Sequence, residues 1–209
     1  PSRRGINQYN PIVSHLRADG HLLIASLGHE LVAVDTLGSG GKGAGRILWR
    51  HDLTESFPGL GGNVVHQVHL RNVQMNWGVQ RFFAQTPDGS PIGMTGPATL
   101  RYVSFLKRRA LHVVDPLTGK TLWIRHDIDP GSEVFGDDEH LYVALPNSDR
   151  TLVLRATDGE QVKVVKLPKS EERVMALGRN LLSWRFEGRF AHLALQDMFT
   201  EKVLWKHEL

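Results

Sequence analysis

Histidines and aspartates are the side chains of this 209-residue chain with the clearest capacity for chemistry, and eleven of its residues are His. His66-Gln67-Val68-His69 has an H-x-x-H spacing. Such a pair ligates a metal when both imidazoles share one helix face. No Glu follows in the zinc-protease arrangement, and in an extended segment residues three apart point to opposite faces. A metal site is therefore not expected. The run Gly38-Ser39-Gly40-Gly41-Lys42-Gly43-Ala44-Gly45 is glycine-rich enough to suggest a phosphate cradle, yet it lacks the Gly-Lys-Ser/Thr ending and fits a flexible hairpin tip. The chain has no cysteine, which removes thiol nucleophiles, disulfides and Cys-based zinc sites together. There is no nucleophile elbow and no convincing Ser/His/Asp spacing. Three carboxylates remain, Asp35, Asp115 and Asp197, and these recur at one place in a repeated pattern.

That pattern shows first around tryptophan. Val203-Leu204-Trp205-Lys206-His207-Glu208-Leu209 repeats Ile47-Leu48-Trp49-Arg50-His51-Asp52-Leu53, and Thr121 to Ile128 carries Trp123 in a third copy with one extra residue. On this reading His51, His126 and His207 correspond and belong to the repeat rather than to a ligand set. Each copy closes a series of short alternating segments, as half-buried strands require. In one unit these are Ile92–Leu100, Arg101–Leu106, Ala110–Asp115 and Lys120–Ile128. The next has Glu133–Gly136, His140–Leu145, Thr151–Arg155 and Gln161–Leu167. A further one has Arg173–Leu177, Leu181–Phe186, His192–Gln196 and Lys202–Glu208. The first has Ile12–Leu16, His21–Ser26, Leu31–Asp35 and Arg46–Leu53. Gly119 and Gly159 stand 40 residues apart, and Trp123 and Trp205 stand 82 apart. Four strands in about 40 residues is the period of a β-propeller blade. No segment has sustained helical periodicity, so a parallel α/β fold is not expected.

Within the unit Val113-x-Asp115-x-x-Thr118-Gly119-Lys120-x-x-Trp123, each recurring residue has a physical task. Asp115 and Thr118 can accept backbone N–H groups across the turn between third and fourth strands. Gly119 supplies the positive φ that such a turn demands. Trp123 offers a flat surface between blades and an indole N–H in need of an acceptor. Asp197, Thr200 and Trp205 repeat the pattern with Glu201 in the glycine position. Asp35 and Trp49 repeat it around the swollen loop, and the third unit keeps Gly159 but has no Trp. The predicted blades are 6–53, 91–128, 131–168 and 171–209. Residues 54–90 are read as an insertion in preference to a degenerate blade, because the strand-turn-Trp signature is missing there.

Composition agrees with a globular β protein. Apolar residues make up 41% and charged residues 22%, and 21 Gly with 10 Pro serve many tight turns. No apolar run reaches the length of about 20 residues that a membrane-spanning helix needs. The net charge of +3 is mild, and the basic clusters Lys107-Arg108-Arg109 and Arg3-Arg4 read as a solvated turn and a chain end, so nucleic acid is not an expected partner. The chain opens on Pro1 without a signal peptide and reads as a mature or excised piece.

The turn-to-tryptophan segment resembles the tryptophan-docking motif of quinoprotein-type propellers, the pyrroloquinoline-quinone-like repeats. Their pattern Ala-x-Asp-x-x-Thr-Gly-x-x-x-Trp is met by Val113 to Trp123, with Val for Ala. The resemblance extends over the four units, and it implies an all-β propeller segment of about four antiparallel blades, part of a larger ring of seven or eight in preference to a small closed ring. The family includes quinone-dependent dehydrogenases and also a non-catalytic outer-membrane barrel-assembly lipoprotein, the member this chain is closest to in type. By that resemblance an extracytoplasmic or membrane-associated location is favoured.

A quinone enzyme of this family would need acidic and amide residues converging on a calcium ion and the quinone, and no such set is identifiable here. The expectation is a scaffold without catalytic residues, cofactor or metal, which binds a protein or peptide partner or the remaining blades of its own parent chain. The alternatives are part of a quinone-dependent oxidoreductase, or a sensor domain beside an enzyme. The expected recognition surface is the insertion, through His66, His69, Met75, Trp77, Phe82 and Phe83.

Overall fold

The computed structural model describes residues 13–27, 29–38, 45–54, 95–129, 131–146, 148–169, 172–187 and 190–209. Among the described residues sixteen strands fall into four four-stranded sheets, and no α-helix occurs. Blade 1 comprises β1 (Val13–Asp19), β2 (Leu22–Leu27), β3 (Glu30–Asp35) and β4 (Arg46–Asp52). Blade 2 has β5 (Thr95–Ala98), β6 (Val103–Lys107), β7 (Ala110–Val114) and β8 (Thr121–Arg125). Blade 3 has β9 (Glu133–Gly136), β10 (His140–Ala144), β11 (Arg150–Arg155) and β12 (Gln161–Lys166). Blade 4 has β13 (Arg173–Leu177), β14 (Asn180–Glu187), β15 (Phe190–Asp197) and β16 (Lys202–Glu208). Each is an antiparallel meander in chain order. The insertion expected beyond Thr54, with His66, His69, Met75, Trp77, Phe82 and Phe83, lies outside the described residues.

The four blades share a defect in the same place. The ladder between third and fourth strands slips at Ala33/Val34, Val113/Val114, Val153/Leu154 and Leu195/Gln196. A bulge sharpens the local twist and re-aims the side chains beyond it. It sets Trp49 opposite Ala33, Trp123 opposite Val113, Lys163 opposite Val153 and Trp205 opposite Leu195. Lys163 thus holds the tryptophan position of the blade that lacks one.

Alternation along the strands gives blades 2 and 3 two apolar faces, one toward the preceding blade and one toward the next. Leu22, Ile24, Leu31, Ala33, Trp49 and Leu53 meet Ala98, Val103, Phe105 and Val114 of blade 2. Tyr102, Leu111, Val113 and Ile128 meet Leu141, Val143, Leu154 and Ala156 of blade 3. Tyr142, Ala144, Val153, Val165 and Leu167 meet Leu181 and Met198 of blade 4. The core is therefore three seams between sheets, so each blade relies on its neighbour to keep one face dry. The first strands β5, β9 and β13 lie side by side, in contact from blade to blade.

Position along this alternation predicts cost. Leu111, fully buried in the second seam, should lose about 2–5 kcal/mol of unfolding free energy on Leu111→Ala. Leu122, 48% exposed on the outer strand of the same blade, should change by about 0.5 kcal/mol or less on Leu122→Ala. Urea unfolding of both variants checks this.

Candidate functional site

The residues singled out by the repeat come together at the seams. Trp49 is 8% exposed and lies flat on the third turn of blade 2. A Cβ placed on Gly119 would sit 2.6 Å from Trp49 Cγ, so the indole occupies the space that any side chain there would need. Its Nε1–H donates to Pro116 O at 2.8 Å, and His51 Nε2–H donates to Gly119 O at 2.8 Å. Trp123 repeats the arrangement on blade 3. A Cβ on Gly159 would stand 2.7 Å from Trp123 Cε3, the indole donates to Ala156 O at 2.8 Å, and an Arg125 guanidinium N–H donates to Gly159 O at 3.3 Å. Both glycines have positive φ, 67° and 75°. The glycine is needed twice over, for the turn and for the bare surface it presents.

The turn carboxylates are held by their own backbone. Asp115 Oδ1 accepts the amides of Leu117 and Thr118 and the Thr118 hydroxyl, at 3.1, 2.7 and 2.8 Å. Burial alone would raise the Asp115 carboxyl, but the Thr118 and Leu117 donors outweigh it and hold it below the usual range. Asp197 accepts from the amides of Phe199 and Thr200, and burial is again outweighed by these donors and by Arg179, so its carboxyl is also lowered. Asp35 accepts the Leu37 amide at 3.0 Å. In blade 3 the equivalent place is taken by Arg155, which donates to Asp158 Oδ2 at 2.7 Å. The turn is kept while the sign of its anchor is reversed.

Blade 4 departs from the pattern in a coupled way. Glu201 holds the glycine position with φ of 58° and brings a Cβ to the surface that should receive an indole. The tryptophan position of blade 3 holds Lys163, whose ammonium lies 4.4 Å from the Phe199 ring centroid and donates to Phe199 O. A cation over a ring replaces a ring over a glycine. The same seam carries a largely buried ion pair between Arg173 and Glu133 at 2.8 Å.

The register corrects one reading of the repeat. Leu31 pairs with His51 and Leu193 with His207, while Leu111 pairs with Arg125. Arg125 rather than His126 is the counterpart of His51, because the two-residue period counts from the fixed Trp and the extra residue comes later, at Asp127 with φ of 62°. Sequence reasoning missed that His51 and Arg125 bridge blades. The signal was present in the Trp-x-His and Trp-x-Arg spacing, which places both side chains on one face of a strand.

Histidine also enters the first seam from blade 2. His112 stacks on Phe105 at 5.0 Å between centroids, and Phe105 lies 5.3 Å from His51. Desolvation lowers the His112 pKa, with Lys107, His126 and His51 adding to it. The basic turn is engaged locally, since Lys107 donates to Asp52 O and Arg109 lies 3.5 Å from Asp129.

No family model matches this sequence, and no curated protein matches it. Solved structures do. Hydrazine synthase of Kuenenia stuttgartiensis superposes over 100% of this chain and 53% of its own, with a TM-score of 0.51 at 11% identity. BamB from Moraxella catarrhalis gives a TM-score of 0.48 at 12% identity, over 92% of this chain and 47% of that one. Hsv2 of Kluyveromyces lactis gives 0.47 at 11% identity, over 96% and 50%. The chain spans about half the length of each. At such identity the likeness is one of fold, and with four antiparallel meanders stacked face to face it makes this chain a four-blade segment of a β-propeller.

Two outcomes are expected. Gly159→Val should destabilise by about 2–4 kcal/mol, combining overpacking against Trp123 with strain at positive φ, and Trp123→Ala by about 3–5 kcal/mol. The double variant should cost less than the sum, because either change already disrupts the same contact. Second, the fold lowers the His112 pKa by desolvation, so the unfolded chain takes up the proton first as pH falls below about 6.5. Stability should be full above that pH and decline as pH drops through the lowered folded value. The slope of the urea midpoint between pH 8 and pH 5 should shrink in His112→Phe.

Proposed function

We propose that this propeller segment is a scaffold of quinoprotein-like repeats, without chemistry of its own, that holds a protein or peptide partner. The observation that carries this reading is the commitment of the recurring carboxylates: Asp115 takes three donors and Asp197 two, all from their own turns. A carboxylate held this way, with its pKa lowered, is a poor general base. The repeat spends its polar residues on closing its turns and joining blades, and recognition falls to the loops that a rigid propeller displays. The likeness to hydrazine synthase supports the fold and carries no enzymatic activity across, since propellers host unrelated functions.

The reading is tested with pyrroloquinoline quinone and calcium added together to the chain. The expected result is no saturable binding by calorimetry and no reduction of an acceptor dye with alcohol or sugar substrates. Cross-linking mass spectrometry in a native extract should in parallel give reproducible links to one partner protein. Calcium-dependent dye reduction would replace the scaffold with an oxidoreductase.

A further inference from the structure

The third seam holds hydrogen-bonding atoms of a kind that the first two do not. On the face that blade 3 turns to blade 4, His140 Nδ1, Tyr142 Oη and Thr151 Oγ1 are buried without a hydrogen-bond partner among the described residues. Tyr142 and Thr151 are fully enclosed, both at 0% exposure. The register puts them on one side of the sheet: Tyr142 lies opposite Val153 and Ala144 opposite Thr151, and Tyr142, Ala144 and Val153 all pack into this seam. His140, two residues before Tyr142 on the same strand, shares that side and sets its ring 4.3 Å from that of Phe199 in blade 4. Neither of the other seams buries an unpartnered side-chain atom among the described residues. Each of the three atoms has lost its hydration with no protein bond to replace it, which folded chains rarely tolerate.

The second seam shows the same place bridged directly. Tyr102 holds on blade 2 the position that His140 holds on blade 3, one residue ahead of the Val103–Val114 and Leu141–Leu154 pairs. Its phenol crosses the seam and donates to Asp137 O at 2.6 Å. An imidazole is shorter than a phenol, and His140 Nδ1 reaches no such carbonyl on blade 4. The tryptophan position is thinner here as well, since Lys163 brings a linear stem where Trp123 brings an indole. Burial, and then the carboxylates of Asp137 and Asp197, push the Tyr142 phenol well above its ordinary value, with Arg179 opposing them. The hydroxyl therefore remains a donor, near carboxylates to which it makes no direct bond.

We propose that the third seam binds a short file of ordered water, hydrogen-bonded to Tyr142 Oη, Thr151 Oγ1 and His140 Nδ1. Water fits atoms spread along one face of a sheet, because it both donates and accepts and needs only two to four polar partners at each place. A cation is disfavoured, since two hydroxyls and an imidazole bring no negative charge. The third seam is thereby the wet joint of the segment, beside two that are fastened by indole locks.

Magnetic relaxation dispersion of solvent water in a solution of the full chain reads this directly, because it counts molecules held far longer than surface hydration. Tyr142→Phe combined with Thr151→Val removes both hydroxyls while keeping shape, and should lose the signal of about one or two long-lived waters. Tyr102→Phe is the control. It removes a hydroxyl bonded straight to Asp137 O, so the water signal should stay at the unsubstituted level although stability falls. Urea unfolding gives a second readout. A hydroxyl bridged by water is a bonded group, so Tyr142→Phe alone should lower the midpoint. A hydroxyl with no partner at all is better replaced, and the midpoint would then hold or rise. An unchanged water signal in the double variant, or a Tyr142→Phe midpoint at or above that of the unsubstituted chain, overturns the proposal. Crystals of the unsubstituted chain need no variant: a water oxygen within hydrogen-bond distance of Tyr142 Oη is expected, and a protein acceptor there instead also overturns it.

Discussion

Everything in this molecule rests on an indole lying where a Cβ would otherwise be. Tryptophan brings the largest apolar surface available to a side chain, and glycine offers the flattest backbone to receive it. The contact is directional as well as greasy, because the indole N–H reaches a carbonyl of the turn and a second donor two residues later reaches the glycine carbonyl. Apolar burial supplies the attraction, and the hydrogen bonds fix which turn meets which strand. A sheet with two apolar faces could slide against its neighbour; this lock prevents it.

The third seam shows what happens when one half of the lock changes. Glu201 closes the bare surface, and the position that would bring an indole holds Lys163 instead. The ammonium over Phe199 is a smaller contact, and the same seam contains the Arg173–Glu133 ion pair. A largely buried ion pair adds specificity more dependably than net stability. The blades are thus alike in topology and unlike in how they are fastened. Anchor reversal in blade 3, where Arg155 stands in place of aspartate, follows the same logic. The fold conserves the geometry of the turn and leaves its chemistry free.

This economy bears on function. Residues that look reactive in the sequence are consumed by the turns and seams: Asp115 and Asp197 by backbone amides of their own turns, and across the seams His51 by a glycine carbonyl and Lys107 by the carbonyl of Asp52. What the blades leave available is their loops.

Much of the architecture was legible in the sequence because its signals are local. Alternation gave the strands, the Asp-x-x-Thr-Gly run gave the turns, and a recurring Trp at a period near 40 residues gave the blades. Glycine at 119 and 159 could be assigned to a positive φ from the hairpin alone. The same residues could not reveal that they are also docking surfaces, since the indole that fills the space comes from about 36 residues earlier at Gly159 and about 70 earlier at Gly119. That Arg125 rather than His126 shares the task of His51 was legible in the Trp-x-His and Trp-x-Arg spacing, but the carbonyl each side chain reaches lies on another blade and was not. The histidines and aromatics of 54–90 lie outside the described residues. Sequence by itself determined which segments are strands and where they turn, because those choices depend on neighbours within a few residues. Only the tertiary structure decided which turn each tryptophan locks, because that depends on the backbone of a different blade.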